Sequence, residues 1–220
     1  MEAERGMKGE AMRLFILGAT GGTGRQLVGQ ALARGHQVTA FARSPEKLGA
    51  RQQGLSVRQG DPRDAAALDA ALGGHDAVLS ALGPPGLEPP GLGRSTILRD
   101  SARSTVSAMQ SAGIRRLLIV SAAILFEDMG VLAALLRRTL LRNVVLGSGE
   151  MEQIVTASNL EWTIVRLPRL TNAPPTGRYQ VADNRFPPGK RTLSRADVAH
   201  FLLDEADRRA HLRQIVGQAG

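Results

Sequence analysis

Short apolar runs alternate with amphipathic stretches along most of the chain. Each run is rich in Val, Ile, Leu or Phe and is followed by a turn, and several are followed by a stretch with helical spacing of apolar positions. The pattern predicts strands at 14–17, 36–41, 55–59, 76–81, 116–121 and 161–166. It predicts helices at 25–34, 63–72 and 95–111. Strands that alternate with helices indicate an α/β fold with a doubly wound parallel sheet.

The first apolar run ends in a turn that is rich in glycine and threonine. A Rossmann-type fold needs three glycines there, one at every third position. The first glycine allows a sharp exit from the strand. The second glycine leaves room for a pyrophosphate, and the third lets the following helix pack close to the sheet. The helix N-terminus adds free N–H groups and partial positive charge. We predict a dinucleotide phosphate site at Gly18, Thr20, Gly21, Gly22, Thr23 and Gly24. The alternative is a glycine-rich turn without a ligand.

The end of the second predicted strand bears on the choice of cofactor. A site that prefers NAD(H) usually has an acid there for the ribose 2′-hydroxyl, whereas this chain has Arg43. A guanidinium suits a 2′-phosphate because its planar fork donates two charged hydrogen bonds. We therefore predict NADP(H) as cofactor, with NAD(H) less favoured. The alternative makes Arg43 an ordinary surface residue of an arginine-rich chain.

Length and composition set further bounds. The 220 residues suffice for one α/β domain with a complete core, which we place at 12–220, with a small substrate-side region at its C-terminal end. Residues 1–11 are polar and mixed in charge, so we expect a disordered tail. Cysteine is absent, which excludes disulfides and thiolate metal sites. No apolar run approaches the ~20 residues of a membrane span, and no signal peptide is evident, so we expect a cytoplasmic protein. We expect it to be a monomer or a homodimer.

The net charge of +8 raises the question of a nucleic-acid partner. The arginines are scattered, however, and aromatic residues make up only 3% of the chain, too few for a base-stacking surface. We expect no nucleic-acid partner. The positive charge favours anionic small molecules instead.

Acid–base groups for catalysis are scarce. Conventional short-chain dehydrogenases use Tyr-x-x-x-Lys, but the only tyrosine, Tyr179, is followed four residues later by Asp183. The four histidines fall at strand starts, turns or the C-terminal helix, and no cluster has metal-ligand spacing. The pair Asp204-Glu205 is expected to be solvated. We therefore predict hydride transfer to an acceptor that needs little acid–base catalysis by the protein, namely a flavin, a quinone or a linear tetrapyrrole.

Several segments resemble one family, the atypical short-chain dehydrogenases of the NmrA-like and biliverdin reductase B (flavin reductase)-like group. The resemblance starts near Arg13 and extends to the C-terminus. It is carried by the segments 18–24, 60–61, 158–168, 176–179 and 194–199. The pair Gly60-Asp61 follows the third strand. The segment 158–168 is similar to the group's stretch Ser-Gly-Leu-x-x-Thr-Ile-x-Arg-Pro.

The resemblance implies NADPH bound across the strand ends, with Arg43 on the 2′-phosphate. The other implied cofactor contacts are Asp61 and Pro62 at the adenine, Leu82 and Gly83 near the ribose, and Ser121 and Pro168 near the nicotinamide. We predict Ser121 and Arg169 as the catalytic residues. The chain departs from the group at Ala122, where a second hydroxyl is common, and at Arg169, where the enzyme group has histidine. The proline-glycine loop at 84–93 is longer than in that group.

The interpretation of these residues leaves alternatives open. Ser121 could orient the nicotinamide amide or the acceptor, or only satisfy backbone at the strand end. Arg169 could attract an FMN phosphate or a propionate, or be a surface charge. The segment 126–146, rich in leucine and arginine, could be a lid, a dimer surface or a membrane-surface helix. The whole protein could be an NADPH-dependent reductase, with FMN or FAD as a possible substrate, or an NADP(H)-binding redox sensor without turnover.

Overall fold

A computed structural model describes residues 10–49, 52–83, 96–127, 130, 134–135, 138–139 and 141–220. The predicted tail therefore lies almost entirely outside the described residues, as does the loop at 84–93. The segment 126–146 is described only in part, so its three alternatives stay open. Among the described residues, no helix is both long and apolar enough to cross a membrane.

Eight strands form the main sheet of the described chain. They are β1 (Arg13–Leu17), β2 (Gln37–Ala42), β3 (Leu55–Gln59), β4 (Ala77–Ser80), β5 (Arg116–Ala122), β6 (Glu161–Leu167), β8 (Gln180–Asp183) and β10 (Gln214–Ala219). Their order across the sheet is β3-β2-β1-β4-β5-β6-β10-β8. Every pairing is parallel except that of β10 with β8. Two short strands, β7 (Arg169–Thr171) and β9 (Thr192–Ser194), form a separate parallel pair.

Helices cover both faces of the sheet. They are α1 (Gly22–Ala33), α2 (Ala65–Leu72), α3 (Ile97–Ser111), α4 (Arg142–Thr156) and α5 (Arg195–Arg208). Alternate residues of β1 face opposite layers: Leu14 and Ile16 pack with α1 and α5, whereas Phe15 and Leu17 pack with the other three helices. This explains the unbroken apolar run of β1, because a parallel strand covered on both faces has no polar side.

The predicted alternation is confirmed, with small shifts at the element ends. All six predicted strands form, and α1 starts three residues earlier than expected, at Gly22. The helix predicted from residue 63 begins at Ala65 instead, because Asp64 is its N-cap and accepts hydrogen bonds from the amides of Ala66 and Ala67 at 3.0 and 3.2 Å. The sequence patterns did not indicate β7 to β10, and the antiparallel β8 makes the sheet mixed at that edge.

The expectation that Asp204 and Glu205 are solvated is wrong. Glu205 is 2% exposed and accepts a hydrogen bond of 2.8 Å from the equally buried guanidinium of Arg116. His211 Nδ1 lies 2.8 Å from the other oxygen of Glu205. Asp204 pairs with Arg34 of α1 at 2.7 Å. Both acids therefore tie α5 to neighbouring elements, Glu205 at the amino end of β5.

Candidate active site

The residues that the sequence predicts as cofactor contacts follow the carboxyl ends of the parallel strands. Since these ends share one edge of the sheet, the strand order places the residues in a row. From the β3 side to the β6 side the row is Asp61, Arg43, Gly18, Gly83, Ser121 and Pro168. The structure thus brings the predicted site together along one rim.

Two of the three spaced glycines are required by packing. Gly18 has a φ of +74°, and a Cβ there would lie 2.8 Å from the backbone of Ala81. A Cβ on Gly24 would overlap the carbonyl oxygen of Gly18, so glycine lets α1 approach the turn. Gly21 differs, because a Cβ there would meet only the Gly18 oxygen, at 3.3 Å, and the residue is exposed. The turn therefore leaves bare backbone open at Gly21.

The amides at the start of α1 face this open turn. Gly21 is the N-cap residue and its amide donates to the Gly18 oxygen at 3.0 Å. The helix has no acid in its first turn, and within the described structure no side chain caps it. Thr20 accepts a hydrogen bond from Arg25 Nε at 3.1 Å through its carbonyl, and Thr23 is buried. This arrangement suits an anion, because helix N-termini carry unsatisfied N–H groups and partial positive charge.

Two arginines surround the acid at the end of β3. Arg63, which the sequence analysis treated only as the start of a helix, pairs with Asp61 at 2.6 Å. This hydrogen bond, with smaller contributions from Arg63 and Arg43 charges, lowers the pKa of Asp61 to about 2. Pro62 beside it is buried, while Arg43 is exposed at the end of β2. Asp61 and Arg63 also line an open cleft of about 510 Å³ that continues between α2 and α3.

Ser121 belongs to a hydrogen-bonded group at the other end of the rim. Its hydroxyl donates to Glu152 Oε1 at 2.6 Å, and Arg166 donates to both oxygens of Glu152, at 3.0 and 2.7 Å. Ser121 and Arg166 are register partners on β5 and β6, and α4 carries Glu152 above them. The guanidinium of Arg166 also lies 4.6 Å from the centre of the Phe126 ring.

Glu152 is a functional candidate that the sequence analysis missed. Its side chain is 7% exposed, and it shares the buried face of α4 with Met151 and Val155. A glutamate among apolar positions on one helix face was the available signal, because a buried carboxylate requires a partner. Here the partner is the Arg166 guanidinium, which binds it through two nitrogens.

The remaining predicted residues have simpler surroundings. Pro168 is half-buried between β6 and β7, and Arg169 is exposed at the start of β7. Leu82 is half-buried against the core below α3, whereas Gly83 is exposed with open space where a Cβ would be. The structure places all four near the rim, and among the described contacts the Arg169 side chain has no charged or hydrogen-bonded partner.

Tyr179 does not resemble a catalytic tyrosine. Its hydroxyl lies 2.9 Å from His200 Nδ1 on α5. Burial, assisted by the charges of Asp204 and Asp197, raises the pKa of Tyr179 to about 12. A catalytic tyrosine needs a lowered pKa, so the geometry agrees with the missing Tyr-x-x-x-Lys pattern.

Arg195 is a second residue that the sequence analysis missed as a site candidate. It is the first residue of α5, and its side chain crosses Gly22 of the glycine turn. Its Nη1 donates to Asn172 Oδ1 at 2.8 Å. No sequence pattern indicated this contact, because the two residues are far apart along the chain.

Comparison with known proteins agrees with this geometry. Residues 18–209 match the NAD(P)H-binding family. The chain is 35% identical over 153 residues to the (4-alkanoyl-5-oxo-2,5-dihydrofuran-3-yl)methyl phosphate reductase of Streptomyces griseus. That match covers 70% of this chain and 46% of the relative, so the chain spans about half of that protein's length. It is also 27% identical over 212 residues to the Bacillus subtilis protein YwnB, covering 91% of this chain and 94% of YwnB.

Solved structures share the fold. A short-chain dehydrogenase/reductase from Veillonella parvula in complex with NADP superimposes with a TM-score of 0.79 at 23% identity, covering 95% of this chain and 94% of that one. A Rossmann-fold NAD(P)-binding family protein from Shigella flexneri gives 0.73 at 24% identity, covering 95% and 93%. The chain therefore belongs to the NAD(P)H-binding family, and its fold is that of Rossmann-fold NAD(P)-binding proteins.

Proposed function

We propose that this protein is an NADPH-dependent reductase that acts on a conjugated, electron-poor acceptor such as a flavin, a quinone or a linear tetrapyrrole. The observation that carries the proposal is the state of Ser121, the hydroxyl at the nicotinamide end of the rim. It donates its hydrogen to Glu152 instead of facing a tyrosine–lysine pair. Because the described residues of the rim include no tyrosine–lysine pair to donate a proton, the site suits acceptors that delocalise the added electron pair and take their proton from water.

The cofactor side of the proposal assigns a role to each group along the rim. The backbone at Gly21 and the amides at the start of α1 would bind the pyrophosphate. Arg43, with Arg63 close by through Asp61, would bind the 2′-phosphate. Asp61, Pro62, Leu82 and Gly83 would border the adenosine, and Pro168 the nicotinamide. When bound, NADPH supplies the hydride, and the chain supplies position and charge.

Ser121 and Glu152 would orient the nicotinamide. Since Ser121 donates to Glu152, its oxygen retains lone pairs that accept a hydrogen bond, for example from a carboxamide N–H. The ion pair with Arg166 holds Glu152 in place, so Glu152 acts as a positioning residue for Ser121. The nicotinamide ring would then present one face to the acceptor.

Arg169 would attract the acceptor. It is exposed at the start of β7, directly after Pro168, where a positive charge would meet an anionic group. The Streptomyces relative is named as a reductase of a methyl phosphate that carries an oxo-dihydrofuran, a conjugated and anionic molecule. Its name supports the general class of acceptor proposed here, a conjugated ring with a negative group.

Steady-state NADPH oxidation tests the proposal with FMN, riboflavin, a soluble quinone and biliverdin. We expect oxidation with at least one of them, and a lower KM for FMN than for riboflavin. Arg169→Gln should raise the KM for FMN about tenfold and leave riboflavin unchanged, whereas the exposed Arg178→Gln is the matched control. Equal KM values for the two flavins in the unmodified protein would contradict the role of Arg169.

The redox-sensor alternative makes a distinct prediction in the same experiment. It is favoured by the pairing of Ser121, Glu152 and Arg166, because none of these three groups is left without a hydrogen-bonded partner. A protein that binds NADPH in calorimetry but oxidises it with none of the four acceptors would be a sensor. Oxidation with any of them removes this alternative.

A further inference from the structure

An arginine side chain lies across the glycine turn at a position that only glycine permits. Atoms Cδ and Nε of Arg195 stand 2.6 and 2.7 Å from the place that a Cβ on Gly22 would occupy. Any side chain at position 22 would therefore displace Arg195. The pair brings a guanidinium to the first turn of α1, next to the open backbone of Gly21.

The scaffold around Arg195 holds it in this place. Ser194 Oγ accepts a hydrogen bond from the Asp197 amide at 2.9 Å, which sets the start of α5. Gln30 of α1 donates to the Ala196 carbonyl at 2.9 Å, so the start of α5 is tied to α1. Asn172, directly after β7, accepts from Arg195 itself at 2.8 Å. The backbone at the start of α5 is thus fixed to α1, and Asn172 holds the guanidinium itself.

This position is electrostatically unfavourable unless an anion is nearby. A cation at a helix N-terminus is disfavoured by the helix dipole, and Arg195 lies at the start of α5 and beside the start of α1. The first turn of α1 has no acid. The acid in the first turn of α5, Asp197, already accepts hydrogen bonds from Thr176, Gly177 and Ser194. The arrangement is therefore complementary to a doubly charged ligand.

We propose that Arg195 binds the cofactor pyrophosphate, facing the backbone amides of the glycine turn from the side of α5, with Asn172 as its positioning residue. This proposal rests on the nucleotide site proposed above. A guanidinium donates through several N–H groups, so the bond to Asn172 leaves others for phosphate oxygens. Because NADPH and NADH share the pyrophosphate, Arg195 contributes to both, whereas the predicted contact of Arg43 serves only NADPH.

Calorimetric titration of the full chain with NADPH, NADH and adenosine 2′-monophosphate separates the two arginines. Arg195→Gln should weaken NADPH and NADH about tenfold each and leave adenosine 2′-monophosphate, which lacks a pyrophosphate, unchanged. Arg195→Lys should weaken the binding of NADPH and NADH by less than Arg195→Gln does. Arg43→Gln should weaken NADPH and adenosine 2′-monophosphate and leave NADH unchanged. Arg208→Gln, an exposed substitution in the last turn of the same helix, should change none of the three.

Gly22→Ala provides an independent check, because the added methyl group displaces Arg195. It should weaken NADPH and NADH, and the double variant Gly22→Ala/Arg195→Gln should lose less than the sum of the single losses, since both remove one interaction. Thermal unfolding without cofactor shows whether each variant is folded. Unchanged or tighter binding of NADPH and NADH by folded Arg195→Gln would overturn the proposal, as would an equal loss for adenosine 2′-monophosphate. A failure of Arg43→Gln to discriminate would overturn only the NADPH preference.

Discussion

The hydroxyl of Ser121 donates a hydrogen bond to Glu152 across 2.6 Å, which joins the carboxyl end of β5 to α4. Arg166 binds the same carboxylate through two nitrogens. Because the serine hydrogen is already used, its oxygen is an acceptor toward the rim. We therefore propose that Ser121 orients the nicotinamide and does not donate a proton.

Ser121→Ala should therefore slow hydride transfer only modestly. We expect a loss of about tenfold in the single-turnover rate, or ~1.4 kcal/mol, because one orienting hydrogen bond is removed. Tyr179→Phe is the control and should change the rate less, since that hydroxyl faces His200. A loss beyond a thousandfold in Ser121→Ala would show acid catalysis.

The rate should also lack a steep bell-shaped dependence on pH between 6 and 8. Asp61, the rim residue with a shifted pKa, titrates outside this range, because its pKa is about 2. A pH series of single-turnover rates with a flavin acceptor measures this. Two sharp limbs within that range would indicate an essential acid and base.

Glu152→Gln should destabilise the fold more than it harms cofactor binding. It leaves the Arg166 guanidinium, whose side chain is 16% exposed, without its anion, and removal of one partner of a buried pair costs about 3 kcal/mol. Urea unfolding measures the loss, and Asp69→Asn, an exposed acid on α2, should cost almost nothing. A stability equal to that of the unmodified protein would mean that the pair contributes little.

Gly21→Val should abolish NADPH binding in a folded protein. The backbone at Gly21 has an ordinary φ of −73°, and its Cβ would meet only the Gly18 oxygen, at 3.3 Å, so we expect the fold to tolerate a side chain that the pyrophosphate does not. Gly29→Ala, with nothing within 4 Å of its Cβ, is the matched control in α1 and should bind normally. Gly24→Ala should instead unfold the protein, because its Cβ overlaps the Gly18 carbonyl. Unchanged NADPH affinity in Gly21→Val would show that the turn is not the phosphate site.

Arg43→Asp should reverse the cofactor preference. The substitution removes charged hydrogen bonds to the 2′-phosphate, worth roughly 1.5–3 kcal/mol each, and supplies the acid that suits a ribose 2′-hydroxyl. Calorimetry with NADPH and NADH measures both affinities. Equal affinity for the two cofactors in the unmodified protein would contradict the predicted preference for NADP(H).

Asp197 should make part of the stability depend on pH. Burial alone would raise its pKa, but hydrogen bonds from Gly177, Ser194 and Thr176 outweigh burial and lower the pKa below the ordinary value. The stabilisation is therefore present above the unfolded pKa of about 3.9 and is lost as pH falls through the folded pKa. Unfolding free energies between pH 7 and 3 should drop less for Asp197→Asn, which starts lower, than for the unmodified protein. Parallel curves for the two proteins would contradict this role.

The sequence by itself determined the main architecture and the location of the site. Strands such as β3 and turns such as 18–24 are encoded locally, because apolar periodicity and the need for glycine act over a few residues. Parallel strands between helices then place their carboxyl ends on one edge, which assembles the row from Asp61 to Pro168. The short strands β7 and β9 and the edge strand β8 were not predicted, because three or four residues carry little periodic signal.

Only the tertiary structure decided which charged groups meet. Ser121 and Glu152 are 31 residues apart, and Arg116 and Glu205 are 89 apart. The contact of Arg195 with Gly22 joins the start of the last helix to the start of the first. No local pattern encodes such pairs, because the residues around a charged residue in the sequence do not show whether it is solvated or buried against a partner. Packing of the helices on the sheet removes water from these groups, and that burial selects their partners.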